Sequence, residues 1–357
     1  MNSTEYVPEY AVWELTLQCN MKCLHCGSSA GRSRANELTV EECLHIADDL
    51  LRLGCRQITF IGGEVFLYSG WEKVAQRMSD GGAKTNIITN AFLFGDEEVA
   101  GIREAKLCNV GISLDGMEKN HDRMRRKGSF QKVLAAFDRL NQENIPIAAI
   151  TSLLDFNVDD LDEMYDLLVA NRVEIWQIQI VTSMGNMAMR KGYLLAPERV
   201  EKITGFIRQK CRMGSIRVYA GDDIGYFDEN EVYIRSRPGT ISVWNGCKAG
   251  ILVVGIDSVG NVKGCESIYS DRFIEGNLRE ESLEEIWTKE GNFAYNRNFD
   301  VSMLTGACAG CDKGSICRGG CRGSSYFNSG SSFESRYCSY PGRPVCNTAQ
   351  ALCSARA

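Results

Sequence analysis

Three cysteines, Cys19, Cys23 and Cys26, crowd the stretch CNMKCLHC. Thiolates spaced C-x3-C-x2-C can hold three irons of a four-iron cluster, leaving the fourth iron without a protein ligand and open to a small molecule. The same spacing suits a structural zinc loop with a distant fourth ligand. A longer series lies downstream: Cys247, Cys265, Cys308, Cys311, Cys317, Cys321 and Cys338. The chain has 16 cysteines but only three histidines, His25, His45 and His121, too few for several mixed Cys/His zinc sites. Thiolate-only ligation remains, by iron–sulfur clusters or by zinc held by four cysteines. Cys43, Cys55, Cys108 and Cys211 have no ligand spacing and read as buried small hydrophobes.

Composition narrows the setting. At 357 residues there is room for one barrel-sized domain and a smaller module. A net charge of -6 lacks the basic surface that phosphate contacts require, so no nucleic-acid partner is expected. The basic run Arg123, Arg125, Arg126 and Lys127 reads as a solvated face. The segment Met1–Tyr10 has no secretory pattern, and no apolar stretch reaches the length of a membrane span, so a cytoplasmic protein without membrane contact is expected. There, reducing thiol systems keep disulfides open, and dense cysteine means metal.

The elements that must position these thiols alternate. Ala11–Leu17, Gln57–Ile61, Lys84–Thr89, Asn109–Leu114, Ile147–Thr151 and Glu174–Val181 read as strands. Helical patterns fall at Thr39–Leu53, Trp71–Ser79, Glu97–Ala105, Phe130–Asn141, Val158–Ala170 and from Pro197 to about Cys211. Strand–helix alternation predicts an α/β fold of parallel strands with right-handed crossovers. Six such units predict a partial (β/α)6 TIM-like barrel, with an open doubly wound sheet as the alternative. Cys19–Cys26 then lies on the first βα loop, at the rim where barrel active sites form. After residue 213 glycine and cysteine replace helical periodicity; Ile251–Cys265 reads as a hairpin turning at Asp257–Asn261, and Glu280–Trp287 as a short helix. The segment from Cys308 onward has little to build an apolar core from, so metal ligation must hold it. The expected boundaries are 1–212 for the barrel, 213–240 for a bridge, 241–345 for the cysteine-rich domain and 346–357 for a tail.

Further motifs sit at strand ends. Gly62, Gly63 and Glu64 follow the second strand, and paired glycines let backbone approach a ligand closely. Asn90 ends the third strand and Ser113-Leu114-Asp115-Gly116 the fourth; turn capping accounts equally well for Asn90 and Asp115. Together these motifs resemble the radical S-adenosylmethionine (SAM) superfamily, with His25 where an aromatic residue is common and Val65 where proline is common after GGE. The resemblance implies that Cys19, Cys23 and Cys26 ligate a catalytic [4Fe-4S] cluster and that Gly62, Gly63 and Glu64 receive the methionine amine. By the same resemblance Asn90, Ser113 and Asp115 lie near the ribose, and Gln177, Gln179 and Val181 edge the adenine pocket. His121-Asp122 and Gly128-Ser129-Phe130 resemble the family's HD…GSF segment.

The downstream cysteines resemble a SPASM domain, which holds two auxiliary iron–sulfur clusters in peptide- and protein-modifying members. The resemblance assigns Cys247, Cys265 and Cys321 to the first auxiliary cluster and Cys308, Cys311, Cys317 and Cys338 to the second. The first then has an open iron, or Cys346 or Cys353 closes it. Glu266, beside Cys265, matches a carboxylate that serves sulfatase-maturing relatives as general base; an exposed hairpin carboxylate is the plainer alternative.

What this implies is an oxidoreductase whose reduced cluster cleaves SAM to a 5′-deoxyadenosyl radical, which abstracts hydrogen from a ribosomally made peptide to give a crosslink or dehydro residue. The catalytic loop begins by Cys19, so a separate leader-recognition protein or the barrel mouth would receive the peptide. An external donor such as flavodoxin or ferredoxin would supply electrons. The alternatives are a small-molecule or cofactor-precursor oxidase, including tetrapyrrole chemistry, and a non-catalytic electron carrier or zinc-stabilised binding module.

Overall fold

The protein is described by a computed structural model covering residues 6–221, 223–236 and 240–342. Cys346 and Cys353, candidates for a further cluster ligand, lie outside the described residues.

Strands β1 Tyr10–Glu14, β2 Gln57–Ile61, β3 Lys84–Thr89, β4 Asn109–Ser113, β5 Ile147–Leu153, β6 Ile175–Ile180 and β7 Arg217–Ala220 run parallel, each beside the next. Between them run α1 Val40–Arg52, α2 Trp71–Asp80, α3 Asp96–Glu104, α4 Glu118–Met124, α5 Ser129–Gln142, α6 Leu161–Ala170 and α7 Val200–Met213. Helix α1 starts where expected, because Thr39 and Glu42 cap each other's backbone N–H groups. Six strands were expected. The seventh, β7, has four residues, too few to show an alternating pattern, and falls in the segment 213–240 read as a bridge.

One strand face packs against the helices through Trp13, Phe60, Ile112 and Trp176, all fully buried. The alternate residues face inward and are mixed: Glu14, Thr59, Asn86, Ser113, Ser152, Gln177, Gln179 and Tyr219 are polar, and Val12, Ile61, Ile88 and Ile150 are apolar. Polar ones pair with one another, Tyr10 with Thr59 at 2.8 Å and Gln179 with Ser152 at 3.1 Å.

The C-terminal part continues the same sheet. After the short helix α8 Glu231–Arg235, β8 Val253–Ile256 lies parallel to β1, β9 Asn261–Lys263 returns antiparallel, and β10 Gly276–Asn277 pairs with β9. The order β10-β9-β8-β1-β2-β3-β4-β5-β6-β7 leaves the barrel open. The hairpin turns where expected, with the Asp257 carboxylate accepting the N–H groups of Val259 and Asn261. The last elements are α9 Leu283–Thr288, α10 Ala294–Arg297, α11 Gly314–Cys317 and α12 Arg322–Ser329.

A buried polar knot pins the hairpin to the barrel rim. Arg34 binds Glu14 of β1, Ser258 of the hairpin and Tyr269 beyond it, and Glu14 is only 2% exposed. Arg34→Met strands the Glu14 carboxylate; we expect a loss of about 3 kcal/mol, because removing one partner leaves a buried charge uncompensated. A fall in the urea midpoint of anaerobic holoprotein checks this.

Candidate active site

The loops after β2, β3, β4 and β6 all grip the loop carrying Cys19, Cys23 and Cys26. The Glu37 carboxylate accepts Thr16 Oγ1–H and Leu17 N–H, fixing the exit from β1. Cys19 N–H donates to Gly31 O, closing the loop on itself, and Leu24 N–H donates to Met124 O of α4. From the loop after β6, Asn186 donates its side chain to Cys23 O at 2.9 Å and its backbone N–H to Cys26 O. Met21 N–H points at Cys19 Sγ (3.4 Å) and Ala30 N–H at Cys26 Sγ (3.3 Å). Burial, then the neighbouring Cys23 and Cys26 among other charges, pushes the Cys19 thiol up to about 12, so a compensating cation is needed for ionisation.

Gly62 and Gly63 are required by this loop itself. A Cβ on Gly62 would lie 2.7 Å from Thr16 O, and one on Gly63 would collide with the carbonyls of Gln18 and Leu17. The close approach lets Gly63 N–H reach Thr16 O (2.8 Å) and Glu64 N–H reach Gln18 O (2.7 Å). Glu64, 3% exposed, turns its carboxylate to β3: Oε1 accepts Thr89 Oγ1–H at 2.7 Å and Oε2 accepts Asn90 N–H at 2.8 Å. Burial pushes its acid up to about 7. Asn90 donates onward to Asn20 Oδ1 at 2.8 Å, returning to the cysteine loop.

Asp115 is fully buried behind the cysteines. Its carboxylate takes Ser152 N–H (2.8 Å), Arg125 Nε–H (2.5 Å) and His25 Nε2 (3.3 Å). Burial alone would raise its acid; Arg125, then His25, hold it below the usual carboxylate range. Burial drops His25 to about 4, and His121, whose Nδ1 accepts Asp115 N–H, also to about 4. Arg125 was expected on a solvated face. Instead its side chain is 10% exposed, and its charge acts on Asp115, Cys23 and Cys26. Nothing in a run of four basic residues marks the one turned inward; only the fold brings Asp115 beneath it. Arg123 and Arg126 do remain exposed, lying over Phe156 and Phe92. Ser113 ends β4 on the inner face, and Val181 packs with Met124, Met187 and Leu24 of the cysteine loop.

Farther along the chain, Cys308, Cys311, Cys317 and Cys338 line one pocket with Phe227, Lys313 and Tyr340. Cys247, Cys265 and Cys321 share a small core with Trp244, Phe273 and Tyr295, so the thiols themselves are its packing. Gly323 lets α12 lie on Ser267, where a Cβ would sit 2.6 Å from Ser267 O, and this brings Cys321 beside Cys265. Asn296 holds the Cys247 and Ala249 carbonyls at 2.8 Å each. Glu266 is buried rather than exposed: Oε2 pairs with Lys263 Nζ at 3.0 Å, Oε1 has no partner among the described residues, and burial raises its acid to about 7 despite Lys263. Of the cysteines outside these groups, Cys43 and Cys55 are buried and Cys211 half-buried, but Cys108 is exposed, contrary to expectation.

Comparison with known proteins settles the family. The Radical SAM superfamily is matched over residues 13–168, and the SPASM iron–sulfur cluster-binding domain over residues 247–312. The chain is a radical SAM enzyme with a SPASM domain. The mycofactocin maturase MftC of Mycolicibacterium smegmatis is 28% identical over 323 residues, 90% of this chain and 79% of that protein. The AdoMet-dependent heme synthase of Methanosarcina barkeri is 26% identical over 350 residues, 94% of this chain and 98% of that protein. In fold the chain is similar to Streptococcus suis SuiB bound to its precursor peptide SuiA (TM-score 0.75, 16% identity, 93% of this chain and 75% of that one). It is also similar to anSMEcpe with bound AdoMet (TM-score 0.71, 19% identity, 93% of this chain and 94% of that one).

A radical SAM enzyme with SPASM needs a [4Fe-4S] cluster, SAM and auxiliary clusters, and the residues fit them. Among the described residues no three His, Cys, Asp or Glu side chains converge on a single metal ion. The fit rests on what surrounds the thiols. Backbone N–H groups aim at Cys19, Cys26 and Cys265 Sγ, the donor pattern that stabilises ligated thiolate. Buried Arg322, whose strongest favourable charge interactions are with Cys247 and then Cys321, would cost several kcal/mol without a counter-anion, which thiolate-ligated iron supplies.

Gly63→Ala should cut 5′-deoxyadenosine formation by about 100-fold, the scale of a 1 Å misplacement at a reacting centre. Iron content should fall less than deoxyadenosine formation, since the loop is displaced but all three thiols are kept. Deoxyadenosine assayed under dithionite checks it.

Proposed function

We propose that this radical SAM enzyme oxidises a ribosomally made peptide. Cys19, Cys23 and Cys26 would hold the catalytic cluster, with Gly62, Gly63, Glu64, Asn90, Ser113, Asp115 and Val181 shaping the SAM site. Cys247, Cys265 and Cys321 would hold the first auxiliary cluster and Cys308, Cys311, Cys317 and Cys338 the second. The observation that carries the peptide reading is the set of polar side chains on the inner wall: beside apolar Ile88 and Ile150, Asn86, Ser152, Gln177 and Gln179 offer amides and hydroxyls to pair with a peptide backbone, and Asn86 Oδ1 has no partner among the described residues. A tetrapyrrole is the alternative that similarity to a heme synthase keeps in view. A relative named as a mycofactocin maturase and a similar fold bound to a precursor peptide support the peptide reading.

When bound, the cluster and SAM supply a 5′-deoxyadenosyl radical that takes hydrogen from the substrate. The chain's own part is to position and to move protons. Asp115, clamped by Arg125 and His25, holds the wall behind the cysteine loop rigid. Glu266 stands at the seam between barrel and SPASM domain with one oxygen free among the described residues, placed to accept the proton lost when a substrate radical is oxidised. An external flavodoxin or ferredoxin, a separate leader-recognition protein and a cytoplasmic setting complete the proposal. No helix among the described residues is long and apolar enough to cross a membrane.

Mass spectrometry of a candidate precursor peptide co-expressed with the enzyme tests this. The wild type should give the mass loss of an oxidation and Cys23→Ala none; an unmodified peptide beside a modified tetrapyrrole would reverse the assignment. Glu266→Gln should lower product about 100-fold with deoxyadenosine formation intact, and an unchanged yield removes the base from Glu266.

A further inference from the structure

Two buried side chains beside the first auxiliary site carry donors that no described residue accepts. Arg322, fully buried at the start of α12, gives Nη1 to the carbonyls of Arg318 and Ser332, lies over the Phe333 ring at 4.6 Å, and leaves Nε and Nη2 without partners. Its charge acts most favourably on Cys247, then Cys321. Tyr295 of α10 has its hydroxyl buried and unpartnered, in the space that a Cβ on Gly264 would fill, next to Cys265. Cys247 and Cys265 both act electrostatically on that hydroxyl, and the adjacent Asn296 holds the Cys247 carbonyl.

The second auxiliary site differs in charge. Four thiols line it, and its cation, Lys313, is already paired with Asp312 at 3.3 Å and borders solvent. A cluster with three thiolates, a buried guanidinium and no carboxylate partner for that guanidinium carries less net negative charge. Net charge and hydrogen bonds to sulfur set the potential of such clusters.

We propose that Arg322 Nε–H and Nη2–H, with the Tyr295 hydroxyl, donate to the sulfurs of the first auxiliary cluster and make it the easier of the two auxiliary clusters to reduce. This rests on the ligand assignment proposed above. Both are positioning residues: they act through the cluster and touch no substrate. Being easier to reduce, the first auxiliary cluster is the one suited to receive an electron released on the substrate side.

A redox titration of the anaerobic full-length holoenzyme, followed by electron paramagnetic resonance, tests it. Cys265→Ala and Cys311→Ala assign the two auxiliary signals. In the wild type the signal lost in Cys265→Ala should appear at the less negative potential. Arg322→Met should move that midpoint to more negative values, Tyr295→Phe by a smaller step, with the other two clusters unmoved and iron content retained. If Arg322→Met fails to assemble, Arg322→Lys and Tyr295→Phe still read the effect. Signals that are present and do not shift in these variants overturn the proposal alone. A Cys265→Ala protein that keeps every wild-type signal overturns the ligand assignment, and the proposal with it.

Discussion

Two βα loops of this protein meet backbone to backbone, and the active site depends on that meeting. Gly63 N–H and Glu64 N–H hang on the carbonyls of Thr16 and Gln18, immediately before Cys19. Only glycine permits the approach, because a Cβ on residue 63 would collide with the carbonyls of Gln18 and Leu17. The contact fixes where the cysteine loop leaves β1, and Glu64 carries the constraint on to Thr89 and Asn90 at the end of β3. Three strand ends thus become one rigid rim. Asp115, Arg125 and His25 brace the loop from behind, and Asn186 holds it from the β6 side.

The SPASM domain is joined to that rim by the sheet rather than merely tethered. β8 hydrogen-bonds to β1, the strand that delivers the cysteine loop, and Arg34 ties Glu14 to Ser258 and Tyr269. Cys265 and Glu266 lie just past β9, so the thiol proposed for the first auxiliary cluster is positioned by the same sheet as the cysteine loop. Electron transfer between centres and proton transfer at the seam both profit from fixed geometry, which a flexible linker could not supply. Inside this domain aliphatic residues are scarce; Cys247, Cys265, Cys317, Cys321 and Cys338 themselves pack the core with aromatic rings.

Much of this was legible in the sequence because it is local. The capping box at Thr39 and Glu42, the hairpin at Asp257–Asn261 and the six longer strands each carry their own short-range signal. Cysteine spacing was legible because ligation demands it. Other features depend on residues far apart in the chain. Arg125 looked like one of four surface cations until Asp115 was folded beneath it, and Glu266 could be read as a base or as an exposed hairpin carboxylate until the fold buried it against Lys263. β7 was too short to show a period, and Cys108 is exposed despite its apolar character. The reason for Gly62 and Gly63 was half legible: close approach was readable, but the partner is the cysteine loop itself as well as any ligand.

The proposed chemistry depends on one iron at the rim that Cys19, Cys23 and Cys26 would leave without a side chain. The most direct measurement is the electron paramagnetic resonance spectrum of the reduced Cys265→Ala, Cys311→Ala double variant, which isolates the catalytic cluster, recorded with and without SAM. The expected result is a signal that changes shape when SAM is added, because the cofactor would bind that iron. A signal indifferent to SAM, or a protein that takes up only zinc, would contradict it.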